Sequence, residues 1–192
     1  MLWLTWRQHR TQVLVTALLL AAVGIALLAN GLGAAGFAAE HAPRAGCVAE
    51  TNACTRYRLG MMEWMWAMSE LIGWLPLLAP ALIGAFWGAP LLAREFKRGT
   101  HQLTWTQSVT RRRWLLVKVG GLAAAVTLGG LTLGVLVNVW LTVFDIPGAP
   151  VNFLNSRIFR LVGILPAAWW LAAFLLGLAA GALFRRTLRP RI

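Results

Sequence analysis

The sequence predicts an all-α fold, a polytopic helical membrane protein with about four transmembrane helices, and three observations predict it. Of 192 residues, 59% are hydrophobic and only 12% are charged, with a mean hydropathy of +0.67; a soluble domain carries about a quarter charged residues. The apolar residues are gathered into long blocks, four of which reach the ~20 residues a helix needs to cross a bilayer. The net charge of +12 gathers at the ends of those blocks, where it reads as topology before it reads as nucleic-acid binding.

The first block, 13–37, follows the basic segment "WRQHR". It is too long for the 7–15 apolar residues of a cleaved signal peptide and is taken as a retained span. Ahead of it, "MLWLTWRQHRTQ" brings Leu2, Trp3 and Trp6 together on a helix, with Arg7, His9 and Arg10 largely elsewhere. Residues 1–12 therefore suit an amphipathic surface helix, with a disordered tail as the plainer alternative.

The remaining spans are placed at 71–93, 119–144 and 161–184. Lipid offers no partner for a bare backbone amide, so each is a helix. Pro76, Pro80 and Pro90 punctuate the second, and Pro166 is expected to interrupt the fourth near its outer end. Gly84-x3-Gly88, Gly130-x3-Gly134 and Gly177-x3-Gly181 each set two glycines about one turn apart, a spacing that lets helix backbones approach closely.

Four spans put both termini on one side. Lys and Arg number 13 in the N-terminal segment, the middle loop 94–118 and the C-terminal tail, against 5 in the other two loops. By the positive-inside rule the richer side is cytoplasmic. The loop 38–70 is then extracytoplasmic, and it holds the chain's two cysteines, Cys47 and Cys54. A disulfide is expected on that oxidising side, the alternative being two free thiols in a flexible loop. One nearby histidine, His41, does not complete a metal set. Further along, "MMEWMWAMSE" fits either a helix lying in the outer interface or an early start to the second span.

Several chemistries find no support. There is no G-x-x-x-x-G-K-[ST] loop for ATP. The six acids lie in loops or at span ends, so no span shows the central ionisable group of a proton relay. Ser69 and Ser108 have no companions for a triad. Arg111, Arg112 and Arg113 read as a membrane anchor, not as a nucleic-acid contact. No catalytic residue, cofactor site or metal site is assigned, and the chain is not expected to be an enzyme.

The loop 94–118 holds more order than topology requires. Glu95 follows the second span. Gly99 and Thr100 break that helix, Thr100 can cap a short helix over about 101–107, and Ser108 or Thr110 can cap the next. A short helix held between two breaks on a membrane surface is a docking element. The string "GAPLLAREFKRGTHQLTWTQSVTRRRWLLVK" resembles the permeases of ABC-2 type ABC transporters, and within them the actinobacterial branch. Their loop between spans two and three reads roughly E-x-x-x-G-T, a short helix, S/P-x-(S/T)-R and a Lys. Those positions are Glu95, Gly99, Thr100, Ser108, Thr110, Arg111 and Lys118 here. The opening "LTWRQHR" and the two-cysteine outer loop are similar too.

The resemblance implies a permease subunit of the bacterial plasma membrane, most simply of an exporter. Its loop would form a coupling helix seated on a separate cytoplasmic ATPase, which would hold the ATP. Trp105, mid-helix, is the candidate anchor, with the headgroup belt as its other possible seat. A second permease copy or a companion permease would complete the assembly. Members of the family usually have six spans where this sequence has four, which points to a shortened permease or to helices supplied by another polypeptide. A truncated or non-transporting membrane protein, immunity or regulatory, that still binds an ATPase is the alternative.

Overall fold

A computed structural model describes residues 2–43, 47, 51–88, 111–145 and 157–187, the side chains of 2–9, 111–115, 157 and 184–187 excepted. The described residues are mainly helical: α1 (Leu2–His41), α2 (Asn52–Ile72), α3 (Leu75–Ile83), a π-helical turn (Gly84–Gly88), α4 (Arg111–Leu141) and α5 (Leu165–Thr187). Short 3-10 turns, Thr142–Phe144 and Arg157–Leu161, follow α4 and precede α5. Among the described residues, four helical stretches are long and apolar enough to cross a membrane: Arg10–His41, Asn52–Gly88, Leu116–Phe144 and Leu165–Leu183.

Their bounds depart from the sequence expectation in ways that have physical causes. α1 runs without a break from Leu2 through the expected boundary at 12/13, so no separate surface helix is distinguished there. The expected outer loop 38–70 is mostly helical. α1 extends to His41, and α2 begins at Asn52, where Thr51 caps it by accepting from the Cys54 N–H at 3.3 Å. α2 packs antiparallel along α1. Phe37 stacks on Tyr57 with centroids 6.3 Å apart, the Phe37 ring covers Gly60, and the Trp64 ring covers Gly33. Of the two readings open for "MMEWMWAMSE", this is the early start of the second span: Met61 and Met68 are buried in the core.

Prolines explain the span's irregular course. In an α-helix each carbonyl accepts from the N–H four residues on, and proline has none. Pro76 strips the donor from the Ile72 carbonyl, and α2 stops at Ile72, with a turn at Gly73–Trp74 before α3. Leu77 and Leu78 both donate to the Trp74 carbonyl, at 3.1 and 3.0 Å, and restart the helix. Across this swivel the span changes neighbours: α2 packs on α1, whereas α3 and the π turn pack on α5.

α4 is the most enclosed of the four spans and α1 the least. α4 lies between α1 and α5 and buries Leu122, Val126, Gly130, Leu133, Val137 and Trp140 at three- and four-residue intervals. The Thr127 and Thr132 hydroxyls donate to the carbonyls four residues back, at 2.8 and 2.9 Å, and need no other partner in lipid. Outward faces carry Leu18, Ile25, Leu116, Leu176 and Leu183, all exposed, as suits a surface solvated by acyl chains.

Five of the six glycines paired in the sequence, Gly84, Gly88, Gly130, Gly134 and Gly177, lie against the backbone of another segment. A methyl on Gly88 would stand 2.6 Å from the Phe174 carbonyl oxygen, and one on Gly84 2.9 Å from that of Ala173. Gly177 lies against the Gly84 backbone in return. Gly130 and Gly134 abut the backbone of Ala167 and Gly163. Gly163 has φ +63°, and it turns the chain into α5. Pro166 does not interrupt the fourth span: it occupies the first turn of α5, where its missing N–H has no helical acceptor.

Candidate functional site

The loop that the sequence singles out falls largely outside the described residues. Glu95, Gly99, Thr100, Trp105, Ser108 and Thr110 all lie there. Arg111 is the first residue of α4, and its side chain is not described. What can be described is the frame that holds the two ends of that loop.

The last described residue before that loop is Gly88, which ends the π turn. It is buried, as is Trp87 beside it, against the α5 backbone between Phe174 and Leu178. The other end is the first two turns of α4. Lys118 lies there on the inward face, only 8% exposed, in line with buried Leu122 and Val126. A charge so enclosed must be paired or neutralised to be tolerated. The N-terminal part of α1 closes the frame, where Gln12 Nε2 donates to the Phe86 carbonyl at 2.9 Å.

A second polar constellation sits toward the opposite end of the bundle. Asn30 of α1 accepts from Trp140 Nε1 of α4 at 2.9 Å and donates to the Trp64 carbonyl of α2 at 3.1 Å. Beyond it the α1–α2 hairpin is closed by a disulfide between Cys47 and Cys54, with Cα atoms 5.5 Å apart. Arg58 Nη2 donates to the Cys47 carbonyl at 3.3 Å and ties the bridge to the next turn of α2.

Sequence reasoning passed over Gln12 and Asn30. The signal for Asn30 was present, since a primary amide in an apolar run has to find partners inside the membrane. For Gln12 there was none, since nothing in the sequence says that residue 12 comes near Phe86. Between α3, the π turn and α5 runs an open groove lined by Ala81, Gly84, Ala85, Trp169, Ala173 and Gly177, among others, with no charged side chain. No group of three or more His, Cys, Asp or Glu able to hold a metal occurs among the described residues.

Four long apolar helices, closed on each other by glycine contacts and carrying no catalytic cluster among the described residues, define a multi-pass membrane protein. A family model for ABC-2 membrane transporter related proteins matches residues 17–190, and the chain belongs to that family. It is thus a transmembrane permease component of a transport system. No curated protein and no solved structure matched the chain.

Proposed function

We propose that the chain is the membrane-spanning permease subunit of an ABC-2 type exporter, driven by a separate cytoplasmic ATPase. Family membership over residues 17–190 carries the reading. In this reading the segment 94–118 is the coupling loop, and Glu95, Gly99, Thr100, Trp105, Ser108, Thr110 and Arg111 contact the ATPase. ATP binds the partner, because this chain has no phosphate-binding loop of its own. The protein resides in the bacterial plasma membrane with both termini cytoplasmic. A second permease copy or a companion permease is the other protein partner.

The frame supports this assignment through its two loop ends. Gly88 is seated on α5 and Lys118 is held inside the bundle, so a push on the intervening residues reaches two spans directly. Interface anchors are often tryptophans whose truncation costs about 2 kcal/mol or more. Co-purification with a co-expressed cytoplasmic ABC ATPase, followed by ATP hydrolysis in lipid, tests the proposal. Trp105→Ala and Glu95→Ala should insert normally yet retain less ATPase or uncouple hydrolysis from transport, and Trp3→Ala should do less. Loop variants that bind and transport like the parent would remove these residues from the contact.

A further inference from the structure

The groove between α3, the π turn and α5 owes its depth to small side chains. Its floor is the line where the two helices meet backbone to backbone, at Gly84 against Ala173 and Gly177. Beside that line stand Ala81, Ala85, Ala172 and Ala180, too short to fill the wedge that two packed cylinders leave between them. The result is an apolar trough of about 510 Å³, within the ~300–1,000 Å³ of ordinary ligand sites. It opens outward, since Ala81, Ala85 and Ala172 are exposed, as are Trp169 and Leu176. Both walls belong to stretches long and apolar enough to cross a membrane, so the trough faces lipid.

Length and charge say which molecule fits. Along α5 the lining runs from Trp169 to Ala180, about 16 Å at ~1.5 Å per residue. That is about half of the ~30 Å hydrocarbon core, the depth of one leaflet. Past Ala180 the apolar stretch of α5 ends at Leu183, and Arg185 and Arg186 follow in its last turn. Neither α3, the π turn nor α5 contains a carboxylate to oppose them. Basic residues beside a site between spans favour anionic headgroups. We propose that the trough holds one acyl chain of an anionic phospholipid, its headgroup at the Arg185–Arg186 end of α5. The chain supplies the dispersion contacts that the alanines leave unmade, and the arginines select the headgroup. So placed, the lipid packs on both helices and seals the seam that glycines alone close. Its origin in the cytoplasmic leaflet rests on the sidedness proposed above; its binding does not.

The test uses the full chain without any ATPase, so its outcome is independent of the exporter reading. Native mass spectrometry of protein released from micelles holding equal amounts of dioleoylphosphatidylglycerol and dioleoylphosphatidylcholine counts the bound lipid. The parent should retain one phosphatidylglycerol, preferred by about fivefold for each arginine engaged. Arg185→Gln with Arg186→Gln should bring the two lipids within about twofold of each other. Ala85→Leu with Ala172→Leu fills the trough from two exposed positions and should cut retention of both lipids about tenfold, the loss for turning out roughly two methylenes. Ala179→Leu, exposed on α5 but outside the lining, should match the parent. Should the double leucine variant not fold, Ala172→Leu alone decides, with a loss of about fourfold expected for one methylene. A parent without bound lipid or without headgroup preference would overturn the proposal, as would filled-trough variants that retain lipid like the parent. A parent dimer that the filled trough splits, with lipid retention unchanged, would give the trough to a second copy of the chain and overturn it too.

Discussion

Trp140 Nε1 donates to Asn30 Oδ1 at 2.9 Å, across 110 residues of sequence. Because Asn30 also donates to the Trp64 carbonyl, one amide joins α1, α2 and α4. Buried hydrogen bonds between membrane helices average about 0.6 kcal/mol and reach about 1.7. Asn30→Ala, which loses two of them and leaves the indole N–H unpaired, should lower stability by about 1–2 kcal/mol. Trp140→Phe loses one and should cost less of it through that bond. Unfolding in mixed micelles measures both, and a neutral Asn30→Ala would show that the amide does not hold the three helices together.

Glycine substitutions should split sharply by position. A methyl at Gly88 or Gly177 meets backbone that cannot turn aside, and overpacking of this kind costs about 1–3 kcal/mol. Gly120 and Gly121 of α4 have nothing within 4 Å of an added methyl. Alanine there should be neutral or stabilise by up to about 1 kcal/mol through helix propensity. Thermal stability of the four single variants in detergent checks the contrast, and a uniform response would contradict the contacts at Gly88 and Gly177.

The Cys47–Cys54 bridge should survive purification without reductant. Closing so short a loop stabilises by roughly 2–3 kcal/mol in the chain-entropy model. Mass spectrometry of unreduced protein should find the two peptides joined, and Cys54→Ser should loosen the start of α2, where Thr51 and Arg58 also act. Two alkylatable thiols in protein taken from the membrane would refute the pairing.

Sidedness is testable in sealed cells. Gln8→Cys and Thr106→Cys should react only with reagents that reach the cytoplasm, and Asn152→Cys only with impermeant reagents outside, as the excess of Lys and Arg demands. Outside labelling at position 106 would overturn the four-span arrangement.

The spans were legible because blocks of about 20 apolar residues admit little else in lipid. Gly88 and Gly134 were legible because one-turn glycine spacing has a direct geometric meaning. α2 was not. Arg56, Arg58, Glu63 and Glu70 dilute its hydropathy, and what makes it a partner of α1 is the ring of Phe37 over Gly60 and of Trp64 over Gly33. Pro166 misled because its effect depends on where the helix begins, and that is set by the turn at Gly163. The Gln12–Phe86 bond was out of reach, since its partners are 74 residues apart. Of the expected ATPase contacts, Glu95 to Thr110 lie outside the described residues.

The seating of the second span on α5 also bears on how the protein is made. Chains grow from the N-terminus at ~5–20 residues per second, so Gly88 leaves the ribosome roughly 5–20 s ahead of Gly177. Through that interval α2 already has α1 to close on, while Gly84 and Gly88 have no backbone to meet. The span therefore matures in two stages, with the half that leads into the loop completed last. A nascent chain that stalls before α5 is expected to sit in the membrane with that half open, a ready mark for proteolytic quality control.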